Sequence, residues 1–221
     1  LEQSVLKQAD ALVVVSRDMQ TQMTHLAGRV PQLISNGFAP EDFQHFEKQT
    51  DSHFTILHTG SINKDRNPGA LWRSLGVYVQ ENSDFAQKLK IRLIGALDAC
   101  VQEDLQANGL LPYTHFENFV PHEQVLKELS SCSLLLLPLN NVKSQKGIVT
   151  GKLFEYLASE QAILAIGPHD GDAAAILSKQ AGTMVINFDT DVPWPAVIEL
   201  TSQQISRKDT LKPYSRKELA K

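Results

Sequence analysis

SLLLLPLNNVKSQKGIVTGKLFEYLASEQAILAIGP, residues 133–168, decides the fold. It opens with SLLLLP (133–138), a short apolar run, and closes on a second, AILAI (162–166). Such runs suit strands covered on both faces, the condition of a parallel sheet. Between them, 139–150 reads as a loop and 151–159 as a helix whose buried face is Leu153, Phe154 and Leu157. Strand, loop, helix and strand make one right-handed crossover unit.

The same alternation continues outward. Downstream lie a helix over 173–179, a strand over 183–186 and a last helix over 195–204. Upstream, FTILH (54–58) is a strand, 59–67 a loop, and 68–79 a helix with Pro68 in its first turn, where proline is tolerated. LKIRLI (89–94) is a strand, Asp98 caps a helix running to about residue 107, 115–119 is a strand and 121–129 a helix. Residues 51–221 therefore read as an α/β domain with a Rossmann-like, doubly wound parallel sheet, truncated at its C-terminal end. Residues 1–50 read as the remnant of a preceding domain and a linker. There, ALVVVS (11–16) is expected as a fully buried strand, with Ser16 capping a helix over 17–26. PQLIS (31–35) is a short strand closed by the turn dipeptide Asn36-Gly37. Residues 38–49, with spaced Phe43 and Phe46, form a linker with a turn of helix. The chain opens at Leu1, without methionine, inside a helical pattern, which reads as a cut from a longer protein.

Composition narrows the classes. The 221 residues are 42% hydrophobic, enough for a core, and the net charge of −4 comes from mixed signs. No basic tract points to nucleic acid, and no run of like charge points to a disordered tail. Cys100 and Cys132 lack metal-ligand spacing, which favours a reducing compartment. The apolar runs fall far short of the roughly 20 residues that span a bilayer.

In an open α/β sheet, ligands bind beyond the carboxyl ends of the strands, near the switch in strand order. The segments to inspect are 60–66, 95–98, 119–122, 138–150 and 167–172. In HTGSINKDRNP (58–68), Gly60 lets a ligand approach the backbone, and Lys64 and Arg66 bring positive charge. An ordinary turn with solvated bases is the competing reading. GxGxxG is absent, which argues against an NAD-dependent oxidoreductase. In GIVTGKLFEYLA (147–158), a two-glycine loop enters a helix N-terminus, whose free N–H groups and dipole suit a diphosphate. Glu155, early in that helix, can accept from a ribose diol; a solvated Lys152/Glu155 pair competes with this.

GKLFEYLASEQAILAIGP (151–168) resembles the donor-binding motif of the family 4 retaining glycosyltransferases of the GT-B fold, with Glu155 as the second Glu of their Glu-x7-Glu signature. ADALVVVSRDM (9–19), LISNGFAPEDF (33–43), HTGSINKDRNP and ENFVPHEQVLKELSSCSLLLLPL (117–139) resemble further family segments in the family's order. The resemblance implies a sugar transfer from a nucleotide-diphosphate sugar, a UDP- or GDP-sugar, with no cofactor and no metal. It implies that Glu155 holds the ribose hydroxyls, and that Arg66, with Lys64, neutralises the diphosphate as it departs. Gly60 and Ser61 belong to the donor loop, Phe119 and Val120 border the base, and Val149, Thr150, Gly151 and Lys152 lie along the phosphates. Two departures stand out. Gly147 occupies the position of the first Glu, which contacts the donor sugar in relatives, and Ser61 stands where relatives often carry Arg. The acceptor, a glycan, lipid or other molecule, would bind a missing N-terminal domain, so the fragment is expected to bind donor weakly and to catalyse nothing. The implied setting is cytoplasmic, with peripheral association at the inner face of a membrane open to the full-length protein.

Other motifs carry less. Asp189-Thr190-Asp191 resembles a metal motif but precedes Pro193, as a turn does. His58 and His169 fall at strand ends, where core or turn roles compete with contact to phosphate. Trp72, Phe154 and Trp194 read as packing. A non-catalytic nucleotide-sugar or partner-binding module on the same fold, and a UDP-sugar epimerase of GT-B-like fold, are the alternative functions.

Overall fold

The computed structural model describes residues 2–44 and 52–221. Strands β1 (Val13–Val14) and β2 (Gln32–Leu33) form a small parallel sheet. Strands β3 (Phe54–Thr59), β4 (Leu89–Ile94), β5 (Thr114–Glu117), β6 (Leu134–Pro138), β7 (Ala162–Ile166) and β8 (Thr183–Ile186) form the main sheet. Its order is β5-β4-β3-β6-β7-β8, with every pairing parallel. The chain runs outward from β3 to β5, returns to lay β6 beside β3, and continues outward to β8. The strand order thus switches between β3 and β6, and the sheet is the expected Rossmann-like, doubly wound one.

Alternation along the strands builds two cores. Ile56, Leu134, Leu136 and Leu164 face one side, against Trp72, Leu75, Leu105 and Trp194. Leu57, Leu135, Leu137 and Ile163 face the other, against Leu129, Leu153, Phe154 and Leu157. Both sides of each central strand are apolar because both are covered by helices. The buried indoles find acceptors: Trp72 Nε1 donates to Asn67 Oδ1 at 2.9 Å and Trp194 Nε1 to Ser74 Oγ at 3.3 Å.

Several local expectations are corrected. Val14 is buried, but Val13 is 56% exposed, so residues 11–16 are not a fully buried strand. A two-stranded sheet covers only one of its faces. Ser16 does cap the Arg17–Ala27 helix, accepting from the Met19 N–H, and Gly28 ends that helix at φ +70°. Asp98 precedes the Ala99–Ala107 helix without capping it through its side chain. Its carboxylate instead accepts the Lys64 N–H at 2.8 Å, tying two loops together. Within 38–49, the described part holds a 3-10 turn, Pro40–Phe43, while Phe46 and the boundary expected at 50/51 fall outside the described residues.

The C-terminal segment is anchored by Arg207, which is 1% exposed. Its guanidinium donates to four carbonyls: Ala181 at 2.8 Å, Gln161 at 2.9 Å, Leu157 at 3.1 Å and Gly182 at 3.2 Å. Burial pulls its pKa down to about 10, with Glu160 opposing the shift. Beyond it, Phe38 N–H donates to the Tyr214 carbonyl and Arg216 N–H to the Phe38 carbonyl, so the linker and the chain end lie together.

Candidate functional site

The switch between β3 and β6 places the loop after β3 (60–66) opposite the loop after β6 (139–150). Two hydrogen-bonded connections zip them together. Asn140 Oδ1 accepts from Arg66 Nε at 3.0 Å and Nη2 at 2.6 Å, and the Asn141 N–H donates to the Asp65 carbonyl at 2.7 Å. Arg66 Nη1 also donates to the Ser61 carbonyl at 2.9 Å.

The Gly151–Ala158 helix starts beside these loops and delivers Lys152. Gly60 has φ +104°, and a Cβ there would lie 1.9 Å from Lys152 Nζ. The backbone angle calls for glycine, and any side chain there would push the Lys152 ammonium off its seat. Burial, joined by repulsion from Arg66 and opposed by Glu155, lowers the Lys152 pKa to about 8. Burial lowers the Arg66 pKa as well. Among the described residues, neither cation has a carboxylate at ion-pair distance. The Glu155 carboxylate has no hydrogen-bond or ion-pair partner among them either, and the residue is half-buried.

His58, the next-to-last residue of β3, lies beneath this cluster and is 1% exposed. Its Nδ1 lies 2.9 Å from the Leu136 carbonyl, and a carbonyl only accepts, so Nδ1 carries the proton. Nε2 is buried without a hydrogen bond, although the Ser61 backbone lies close enough to favour its protonated form. Burial, followed by Lys152, pushes the pKa down to about 3, so the ring is neutral. Tyr156 fixes the helix to the strand: its hydroxyl accepts the Thr59 N–H at 2.9 Å, and burial pushes its pKa up to about 12. Thr150, at the helix N-cap, has a buried hydroxyl with no partner among the described residues.

The remaining expected residues scatter around this centre. Ser61 is exposed and serves Arg66 through its carbonyl. Lys64 lines a polar pocket of about 340 Å³ with Asp65, Arg73, Asn141 and Phe188, in which Arg66 takes no part. The cation that joins Arg66 electrostatically is Lys152. Phe119, past the end of β5, is 69% exposed, while Val120 packs against the second core. Val149 is buried, and its carbonyl accepts from Asn36 Nδ2 at 2.9 Å. Gly151 opens the helix, exposed.

At Gly147 a Cβ would meet Asp18 Oδ2 at 2.9 Å and Ser16 Oγ at 3.2 Å. The N-terminal segment packs directly on this loop, so a larger side chain fits only if the Asp18 and Ser16 side chains shift. Asp191 pairs with Arg73 at 3.7 Å on the surface, and His169 is exposed. A groove of about 1140 Å³, lined by Phe38, Ser133, Gln161, Ile205 and Leu211, lies at the amino ends of β6 and β7, opposite the carboxyl ends that carry the switch-point loops. Asn140 and His58 are the members that sequence reading missed or set aside. Asn140 lies within the inspected segment 138–150, but nothing local pairs it with Arg66.

No protein-family model and no curated protein sequence matches the chain. Solved structures do. Sucrose-phosphate synthase from Thermosynechococcus elongatus superposes with a TM-score of 0.73 at 13% identity, over 99% of this chain and 58% of that one. WaaG, a glycosyltransferase involved in lipopolysaccharide biosynthesis, gives 0.69 at 13%, over 99% and 64%. HepE from Anabaena, in complex with UDP, gives 0.65 at 14%, over 100% and 62%. The chain has the fold of part of these glycosyltransferases. At such identities the likeness is one of fold, and the chain spans about three fifths of the length of the glycosyltransferases it resembles. Among the described residues, no helix is long and apolar enough to cross a membrane.

Proposed function

We propose that this chain is the nucleotide-sugar-binding part of a retaining, metal-independent glycosyltransferase of family 4. The observation that carries the reading is the Lys152 ammonium resting on Gly60 within electrostatic reach of Arg66 at the switch point, both cations without carboxylate partners among the described residues. Two desolvated cations that lack an anion favour a ligand with adjacent anionic oxygens. A diphosphate fits that demand, and the first N–H groups of the Gly151–Ala158 helix lie alongside it. In this reading Arg66, Lys152 and the helix stabilise the departing nucleoside diphosphate, leaving metal unnecessary. Glu155 accepts from the ribose hydroxyls, Phe119 and Val120 border the base, and Lys64 stands at the edge. Acceptor binding belongs to the rest of a larger protein, and UDP or GDP is the expected carrier.

Calorimetric titration of UDP, GDP and ADP, with and without EDTA, tests this. One nucleotide should bind, EDTA should change nothing, and Glu155→Ala should weaken it about tenfold, or about 1.4 kcal/mol. Absence of binding by all three at millimolar concentration would overturn the reading. A second expectation concerns pH. The free Lys152 ammonium loses its proton as pH rises through about 8, and a bound diphosphate holds that proton on. Affinity should therefore fall as pH rises through about 8. The Lys152→Ala variant should bind more weakly but without that alkaline fall, and an identical fall in both proteins would refute the assignment.

A further inference from the structure

The guanidinium of Arg66 is held in an unusual way for a cation at a ligand site. A guanidinium has five N–H groups. Nε and one N–H of Nη2 go to Asn140 Oδ1, and one N–H of Nη1 goes to the Ser61 carbonyl. Those three bonds leave one N–H on each terminal nitrogen, a pair suited to two oxygens of one phosphate. All three bonds end on two neutral oxygens, Asn140 Oδ1 and the Ser61 carbonyl. The Asn140 amide can present only its oxygen here, because its NH₂ end would oppose two donors.

We propose that Asn140 is a positioning residue that fixes the Arg66 fork for an anion while leaving its charge uncompensated. An aspartate is the same size and would hold the same two N–H groups, but it would supply the counter-charge itself. The neutral amide separates orientation from neutralisation: the arginine is immobilised before the ligand arrives, and its full charge remains available. The Asn141 N–H to Asp65 carbonyl bond keeps the two loops in register, so the amide stays on its target. This inference deepens the donor-site reading above and rests on it for the nucleotide, though not for the phosphate.

The test compares Asn140→Asp and Asn140→Ala with the wild-type chain, measuring binding of inorganic pyrophosphate and of UDP, and the melting temperature. Asn140→Asp should lose at least tenfold in affinity for pyrophosphate while melting at or above the wild-type temperature, because it adds an ion pair. Asn140→Ala, which loosens Arg66 but keeps its charge free, should lose only about three- to fivefold, and should melt below Asn140→Asp. A residue that merely supported the loop would give the same order in both measurements, with alanine worse in each. That result, or pyrophosphate binding unchanged in Asn140→Asp, overturns the proposal. Wild-type binding of pyrophosphate but not UDP, with the predicted variant order, keeps the proposal and removes the nucleotide reading. UDP binding that is indifferent to Asn140→Asp does the reverse, and failure of the wild type to bind either probe ends both.

Discussion

Arg66→Ala is expected to weaken nucleoside diphosphate binding about 50- to 100-fold, or about 2.5 kcal/mol, measured by calorimetry at pH 7. Arg66 can make two charge-assisted hydrogen bonds to the phosphates in a half-buried crevice, partly offset by the desolvation that already lowers its pKa. Lys152 cannot compensate, since its ammonium is a point charge resting on Gly60 and lacks a planar fork. Arg66→Lys should recover only a small part of the loss, because a lysine cannot also reach Asn140 Oδ1 and the Ser61 carbonyl in the same geometry. The fold should tolerate both changes, as Arg66 lies at the surface end of the sheet and not in either core. An Arg66→Ala chain that binds within twofold of the wild type would remove Arg66 from the site.

The largest stability effect is expected far from that crevice. Arg207→Ala should destabilise the chain by about 4 kcal/mol and lower its melting temperature by roughly 10 °C in a circular-dichroism melt. Truncation leaves the Ala181, Leu157, Gln161 and Gly182 carbonyls without their shared donor, and leaves a cavity where the side chain lay. Burying a guanidinium is itself costly, as its lowered pKa of about 10 records, so the net value of keeping it is below the sum of its bonds. Arg207→Met tests that balance. It fills much of the volume and removes the charge, so it should lose less than alanine while still losing the four guanidinium hydrogen bonds. A loss under 1 kcal/mol in Arg207→Ala would mean that water reaches these carbonyls once the side chain is gone.

The division between what the chain shows locally and what folding adds is visible at particular residues. The apolar runs 134–137 and 162–166 required strands buried on both faces, and their spacing by helices required a parallel, doubly wound sheet. Those are short-range patterns, written in the alternation of side chains along each strand. The same reasoning placed the chemistry at the carboxyl ends of the strands, and it found Gly60, Arg66, Lys152 and Glu155 as residues. Their grouping was not readable in this way. Lys64 and Arg66 are neighbours in sequence, yet Arg66 shares its surroundings with Lys152, because the return of the chain lays β6 beside β3 and brings the following helix over Gly60. Asn140 gains its role from that same strand order, and His58 its neutral, half-satisfied ring from burial under two cations. Val13 is exposed because the small sheet covers only one of its faces, and a side chain at Gly147 would have to move Asp18 and Ser16, which pack against it. The sequence by itself determined the layers, the strands and the ends of the sheet where ligands bind. Only the tertiary structure decided which charges meet there, because pairing across the switch depends on the order of strands, which no local periodicity encodes.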